Sequence, residues 1–135
     1  MTALARLLFP SPAFRRSPGL IFAWWESRRP TYNLIVGGAG LITLGTVQVV
    51  SMLPPHLPMH VPWPVIVLYG ALANVCYSFG FLFESLLARL WGDDVAPVGP
   101  TLFRQGLIFS VGLTLLPIGV AWLDYLFGAV KWLLR

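Results

Sequence analysis

From Thr31 to Leu53 the chain carries no charged side chain, and that run decides what the polypeptide can become. About 20 predominantly apolar residues cross a bilayer as a helix. Backbone N–H and C=O groups find no water there, so a spanning segment must satisfy them internally. Two further apolar runs follow, at 64–83 and 102–123. Hydrophobic residues make up 57% of the chain and charged residues 10%, where a soluble domain carries about a quarter charged. The same balance excludes a disordered chain. The sequence therefore predicts an all-α integral membrane protein with three transmembrane helices, near 31–53, 64–83 and 102–123. A basic, partly helical interfacial segment, 1–30, precedes them. An amphipathic tail, 124–135, follows and either extends the third helix or folds back along the interface.

The boundaries are marked by proline. Ser11-Pro12 and Ser17-Pro18 read as an N-cap followed by proline at the first helical position. Residues 18–29 set Ile21, Phe22, Trp24 and Trp25 beside Arg28 and Arg29, a mixture suited to the headgroup layer with both indoles at the interface. The stretch Pro54–Pro64 holds five prolines and cannot be helical throughout. Gly92, Asp93, Asp94, Pro97, Gly99 and Pro100 mark a second loop, and Pro117 interrupts the third run.

The net charge of +4 sits entirely in the first thirty residues, where Arg6, Arg15, Arg16, Arg28 and Arg29 face Glu26 alone. A basic arm can mean nucleic acid, but one that abuts a membrane span is explained by the positive-inside rule, and no nucleic-acid partner is expected. With the N-terminus inside, Arg89 and Arg104 join the five arginines of the arm, and Lys131 and Arg135 lie outside. That asymmetry sets the N-terminus in the cytoplasm and the C-terminus in the periplasm. No cleavable signal peptide is expected, because the apolar stretch at 7–9 is too short. Arginine far outnumbers lysine, which fits a GC-rich bacterial genome and an inner-membrane location.

Polar side chains within the spans are few. Asn74, Tyr77, Phe81 and Glu84 share one helical face. An intramembrane carboxylate is a functional candidate by default, so Glu84 and Asn74 could relay a proton or cation. The stronger reading is structural: Glu84 reaches the inner interface, where Arg28, Arg29 or Arg104 is expected to pair with it. Asn33, Gln48 and Asn74 are suited to interhelical hydrogen bonding. Three stripes offer close approach between helices: Gly38, Ile42 and Gly45; Gly70, Asn74 and Ser78; and Gly106, Ser110 and Thr114. Cys76, the single cysteine, excludes an intrachain disulfide and reads as a buried, inert thiol.

Catalytic and cofactor signatures are missing. Met52, His56, Met59 and His60 offer soft ligands that would suit copper(I), but the proline-rich connector does not fix them in one sphere, and they are expected to be ordinary surface residues. No histidine lies within a span to ligate haem. Asp93-Asp94 in a Gly/Pro loop reads as a solvated turn. Neither an enzyme nor a cofactor is expected.

The segments Trp25-Glu26-Ser27-Arg28-Arg29-x-x-Tyr32-Asn33 and Ala73-Asn74-Val75-Cys76-Tyr77 resemble a group of small uncharacterised bacterial membrane proteins. These carry W-E-x-R-R-x-x-Y-N before the first span and N-x-C-Y within the second. The resemblance carries no activity to transfer. It implies that Glu26, Arg28, Arg29, Asn33, Asn74 and Tyr77 belong together.

Two functions remain in view. One is a non-catalytic membrane subunit or assembly factor that packs on other subunits or on copies of itself. The other is a small homo-oligomeric transporter or channel built around Asn74, Tyr77 and Glu84. Both share the same topology. In a Cys76→Ala background, cysteines introduced at Ser17 and at His56 should react with impermeant maleimide from opposite sides of the membrane, and reaction from one side alone would contradict the three-span reading.

Overall fold

The computed structural model describes residues 17–54, 56, 60–92 and 98–134. The Ser11-Pro12 cap, Arg6, Arg15, Arg16, Met59, Asp93, Asp94 and Arg135 lie outside them. The described residues form four helices and no strand: α1 (Pro18–Glu26), α2 (Arg29–Met52), α3 (Trp63–Trp91) and α4 (Gly99–Leu133). Three are long and apolar enough to cross a membrane, with α1 and α2 acting as one near-continuous element. The architecture is all-α, with three such helices.

Each helix has proline in its first turn, where its missing N–H costs nothing. Pro30 also explains why α1 and α2 are separate. It cannot donate to the Glu26 carbonyl and its ring crowds that turn, so the chain bends at Ser27–Arg28. α3 runs on through Glu84 and stops at Gly92, whose φ of 62° an L side chain adopts poorly.

α2 and α4 form the most extensive helix pair. They run in parallel: Tyr32 meets Ser110, Thr43 meets Thr114, and Pro54 meets Tyr125. The buried face of α2 follows helical spacing through Tyr32, Val36, Ala39, Thr43, Val47 and Val50. α1 packs against the last turns of α3. α2 and α3 touch sparsely, and they leave a cleft between them.

Several expectations change here. α4 continues helically to Leu133, so of the two courses open to the tail, residues 124–133 take the extension of the third helix. Its length of about 52 Å exceeds the ~30 Å hydrocarbon layer. Pro117 does not interrupt it. Proline removes the one N–H that would bond the Leu113 carbonyl, a loss that long apolar helices tolerate. One residue on, the Thr114 carbonyl accepts from Thr43 Oγ1 of α2 at 2.7 Å. Trp25 is 2% exposed, part of the packed interior instead of an interfacial indole. Cys76 is exposed on the outward face of α3, so lipid rather than protein shields it.

The Gly38–Ile42–Gly45 stripe does not form a close helix contact among the described residues: Ile42 is exposed, and a methyl at either glycine would meet nothing within 4 Å. Thr43→Val should lower the stability of the detergent-solubilised protein by about 1 kcal/mol, the scale of an interhelical hydrogen bond in a membrane. Thr46→Val should have less effect, because Thr46 bonds only within its own helix, to the Ile42 carbonyl. Thermal unfolding of the two variants distinguishes them.

Candidate functional site

The bend at Ser27–Arg28 exposes the last carbonyls of α1, and nearby donors take them up in turn. Ser27 N–H donates to Ala23 O. Ser27 Oγ and Arg28 Nη1 donate to Trp24 O, at 2.8 and 3.0 Å. Trp25 O accepts from Arg28 N–H and from the Tyr77 hydroxyl, the latter at 2.6 Å. The Tyr77 bond crosses from α3 and ties α1 to the bundle. Arg28 closes over the Trp24 ring at 3.9 Å, a cation–π contact at the negative end of a helix.

Trp25 then enters the space between α3 and α4. Its ring lies on Gly80, where a Cβ would overlap the indole carbons. Tyr77 and Phe103 pack edge-on against it, at 5.2 and 6.3 Å between centroids. Its Nε1 donates to Glu84 Oε2 at 2.7 Å. Glu84 is 5% exposed, and its carboxylate presses on Gly99, the first residue of α4, where a Cβ would overlap it. The start of a helix carries partial positive charge, so the anion sits where the backbone field favours it. Gly80 and Gly99 thus make room for one indole–carboxylate pair.

One level further into the bundle, Arg29 opens α2. Its Nε and Nη2 grip Glu26, with contacts of 2.6–3.0 Å. Nη2 also reaches Ser78 Oγ at 3.0 Å, and Nη1 reaches the side-chain and backbone oxygens of Asn74 at 3.2 and 3.4 Å. The guanidinium stacks on Tyr77 at 4.8 Å. Asn74 Nδ2 passes the network on to Asn33 Oδ1 at 3.0 Å. All five guanidinium N–H groups are used in a fork that lysine could not reproduce.

Hydroxyls continue the pattern along α4. Tyr32 meets Ser110 Oγ at 2.8 Å, Tyr69 meets Thr114 Oγ1 at 2.6 Å, and Thr114 Oγ1 donates to Ser110 O at 2.6 Å. Ser85 Oγ is the one buried side-chain polar atom without a partner among the described residues.

The structure brings Glu26, Arg29, Asn33, Asn74 and Tyr77 into one network, with Arg28 turned back on Trp24. Ser110 and Thr114 bind neighbouring helices, but Gly106 meets no close neighbour. It borders an apolar cavity of about 110 Å3 beside Trp25, Tyr77 and Phe103, so it does not extend the close-approach stripe. Glu84 meets Trp25 in place of Arg28 or Arg29. Arg29 lies level with Ser78, roughly 9 Å along α3 from Glu84, and Glu26 already holds it. Arg104 is half-buried in the second turn of α4.

Sequence reasoning missed Trp25 and Gly99 as neighbours of Glu84, and Gly80 as the seat of the Trp25 ring. The signal for Gly80 was its position one turn before Glu84, on the same face. His56 and His60 are exposed, and no group of three metal-ligating side chains occurs among the described residues. The arrangement clamps helices together, and each of its carboxylates is already held. No family model, curated protein or solved structure matches the chain.

Glu84→Gln retains an oxygen for the indole and should be well tolerated. Trp25→Phe strands a buried carboxylate and should cost about 1–3 kcal/mol. Gly99→Ala should destabilise comparably, by pushing the carboxylate out of its seat. Melting temperatures in one detergent should fall in the order wild type, Glu84→Gln, then the other two; a Glu84→Gln variant as unstable as Trp25→Phe would show that charge, not the indole bond, matters.

Proposed function

We propose that this chain is a non-catalytic integral membrane subunit, or an assembly factor, that packs its apolar outer faces on partner transmembrane helices in a bacterial inner membrane. The observation that carries the reading is the internal consumption of the polar groups. Asn74, Tyr77 and Glu84, which a transport path would need, are each bonded within the chain. α3 buries only Tyr77 and Glu84 and presents Leu68, Leu72, Val75, Phe79 and Leu82 outward. Such a surface offers van der Waals contact and little chemistry.

The distribution of charge supports a cytoplasmic N-terminus. Arg28, Arg29, Arg89 and Arg104 gather at the end of the bundle where α1 sits, and Lys131 lies at the other end of α4. The network around Arg29 presets the angle between α1 and the spans, which suits a part that must present a fixed surface to neighbours.

Extraction of the tagged chain from native membranes in mild detergent, followed by native mass spectrometry, tests the reading. Foreign membrane subunits at fixed stoichiometry are the expected result. A homo-oligomer that conducts ions in liposomes, with flux abolished by Glu84→Gln, would overturn it in favour of a transporter.

A further inference from the structure

All four helices border the cavity of about 110 Å3 beside Gly106: Trp25 comes from α1, Tyr32 from α2, Tyr77 from α3 and Phe103 from α4. These four are rings that pack on one another around Tyr77, with Trp25 at 5.2 Å, Tyr32 at 4.6 Å and Phe103 at 6.3 Å between centroids. Trp25 and Phe103 both meet Tyr77 edge-on. Two glycines leave the remaining wall bare. The Trp25 ring fills the space at Gly80, but a methyl at Gly106 would meet nothing within 4 Å. Alanine there would also favour the helix, so packing does not call for glycine at this position, and its missing side chain leaves the space open.

The polar atoms of the wall are already engaged. Trp25 Nε1 donates to Glu84, the Tyr77 hydroxyl donates to Trp25 O, and Tyr32 and Ser110 share a hydroxyl bond. Water stays in a cavity when two to four polar partners hold it, and an apolar cavity of about 150 Å3 remains dry and takes up benzene or xenon. The exposed side chains of the lining are Cys76 on α3 and Phe109 on α4, so the cavity opens between those two helices.

We propose that this cavity binds one uncharged aromatic ring of about benzene size, which enters between Cys76 and Phe109. Rings attract one another edge to face beyond what their buried area provides, and this wall presents four of them. A flexible alkyl chain gains no such contact, and only a short piece of it fits. A charged or strongly hydrogen-bonding ligand would find every donor of the wall in use.

The purified chain in detergent is titrated with fluorobenzene and followed by fluorine NMR, with fluorohexane as the aliphatic control. Uptake by the micelle is a background shared by every variant. The wild type should show saturable broadening of fluorobenzene and none of fluorohexane. Gly106→Leu fills the space and should abolish the response. Gly106→Ala occupies less of it and should bind more weakly, which keeps the test valid where leucine disturbs the helix pair. Cys76 reports independently: fluorobenzene at twice its dissociation constant should slow alkylation by N-ethylmaleimide about threefold in the wild type, as expected for simple occupancy, and leave Gly106→Leu unaffected. Equal titrations in the wild type and both variants, or equal responses to the two fluorinated probes, would overturn the proposal. So would a co-purified polypeptide that must be removed before fluorobenzene binds, since the space would then belong to a partner's side chain. The titration needs no partner subunit, so its failure is distinguishable from failure of the subunit reading.

Discussion

The bond from the Trp25 indole to Glu84 fixes the end of the bundle on which the rest of the molecule builds. A carboxylate 5% exposed among lipid-facing helices is tolerated only where donors and a favourable field meet it. The indole supplies the donor from α1, and the first residue of α4 supplies the field. One side chain therefore joins α1, α3 and α4. The backbone of the same residue is held by Tyr77, so α1 can neither slide nor turn without breaking two buried bonds. Arg29 leaves α1 at a defined point as a result, and that point lies beside Asn74 and Ser78.

Farther from that end the balance of forces shifts. Helices in lipid gain little from hiding apolar surface from one another, and they associate through packing and hydrogen bonds. α2 and α4 use both. Their facing residues are Val36, Ala39, Val47 and Leu107, punctuated by the hydroxyl bonds of Tyr32, Thr43 and Thr114.

The spans were legible because charge-free runs longer than a bilayer have few alternatives, and prolines at 18, 30, 64 and 100 marked the helix starts. The bond from Trp25 to Glu84 was not legible. Charge logic pairs a carboxylate with the nearest arginines, but Arg29 was already taken by Glu26, three residues away on the other side of the Pro30 bend. Trp25 resembled an interfacial indole because composition alone cannot separate a ring at the headgroups from one folded inward at the same depth. Glycine was misread for a related reason: the regular spacing of Gly106 suggested contact, whereas Gly80 and Gly99 are the glycines that face something bulky. What decides a glycine's role is the neighbour across the gap, and a single sequence does not display it.

The parallel pairing of α2 with α4 has a consequence for biogenesis. Parallel neighbours cannot be joined by a short turn, so α3 and both connectors must be made before the pair can close. During insertion α2 enters the bilayer with Tyr32 and Thr43 facing lipid, and α3 makes only sparse contact with it. The bundle is thus assembled late and by its last segment, and a chain arrested before Gly99 lacks both the partner of α2 and the helix start that receives Glu84. Such an intermediate carries several unmet polar groups within the membrane, which the last helix alone relieves.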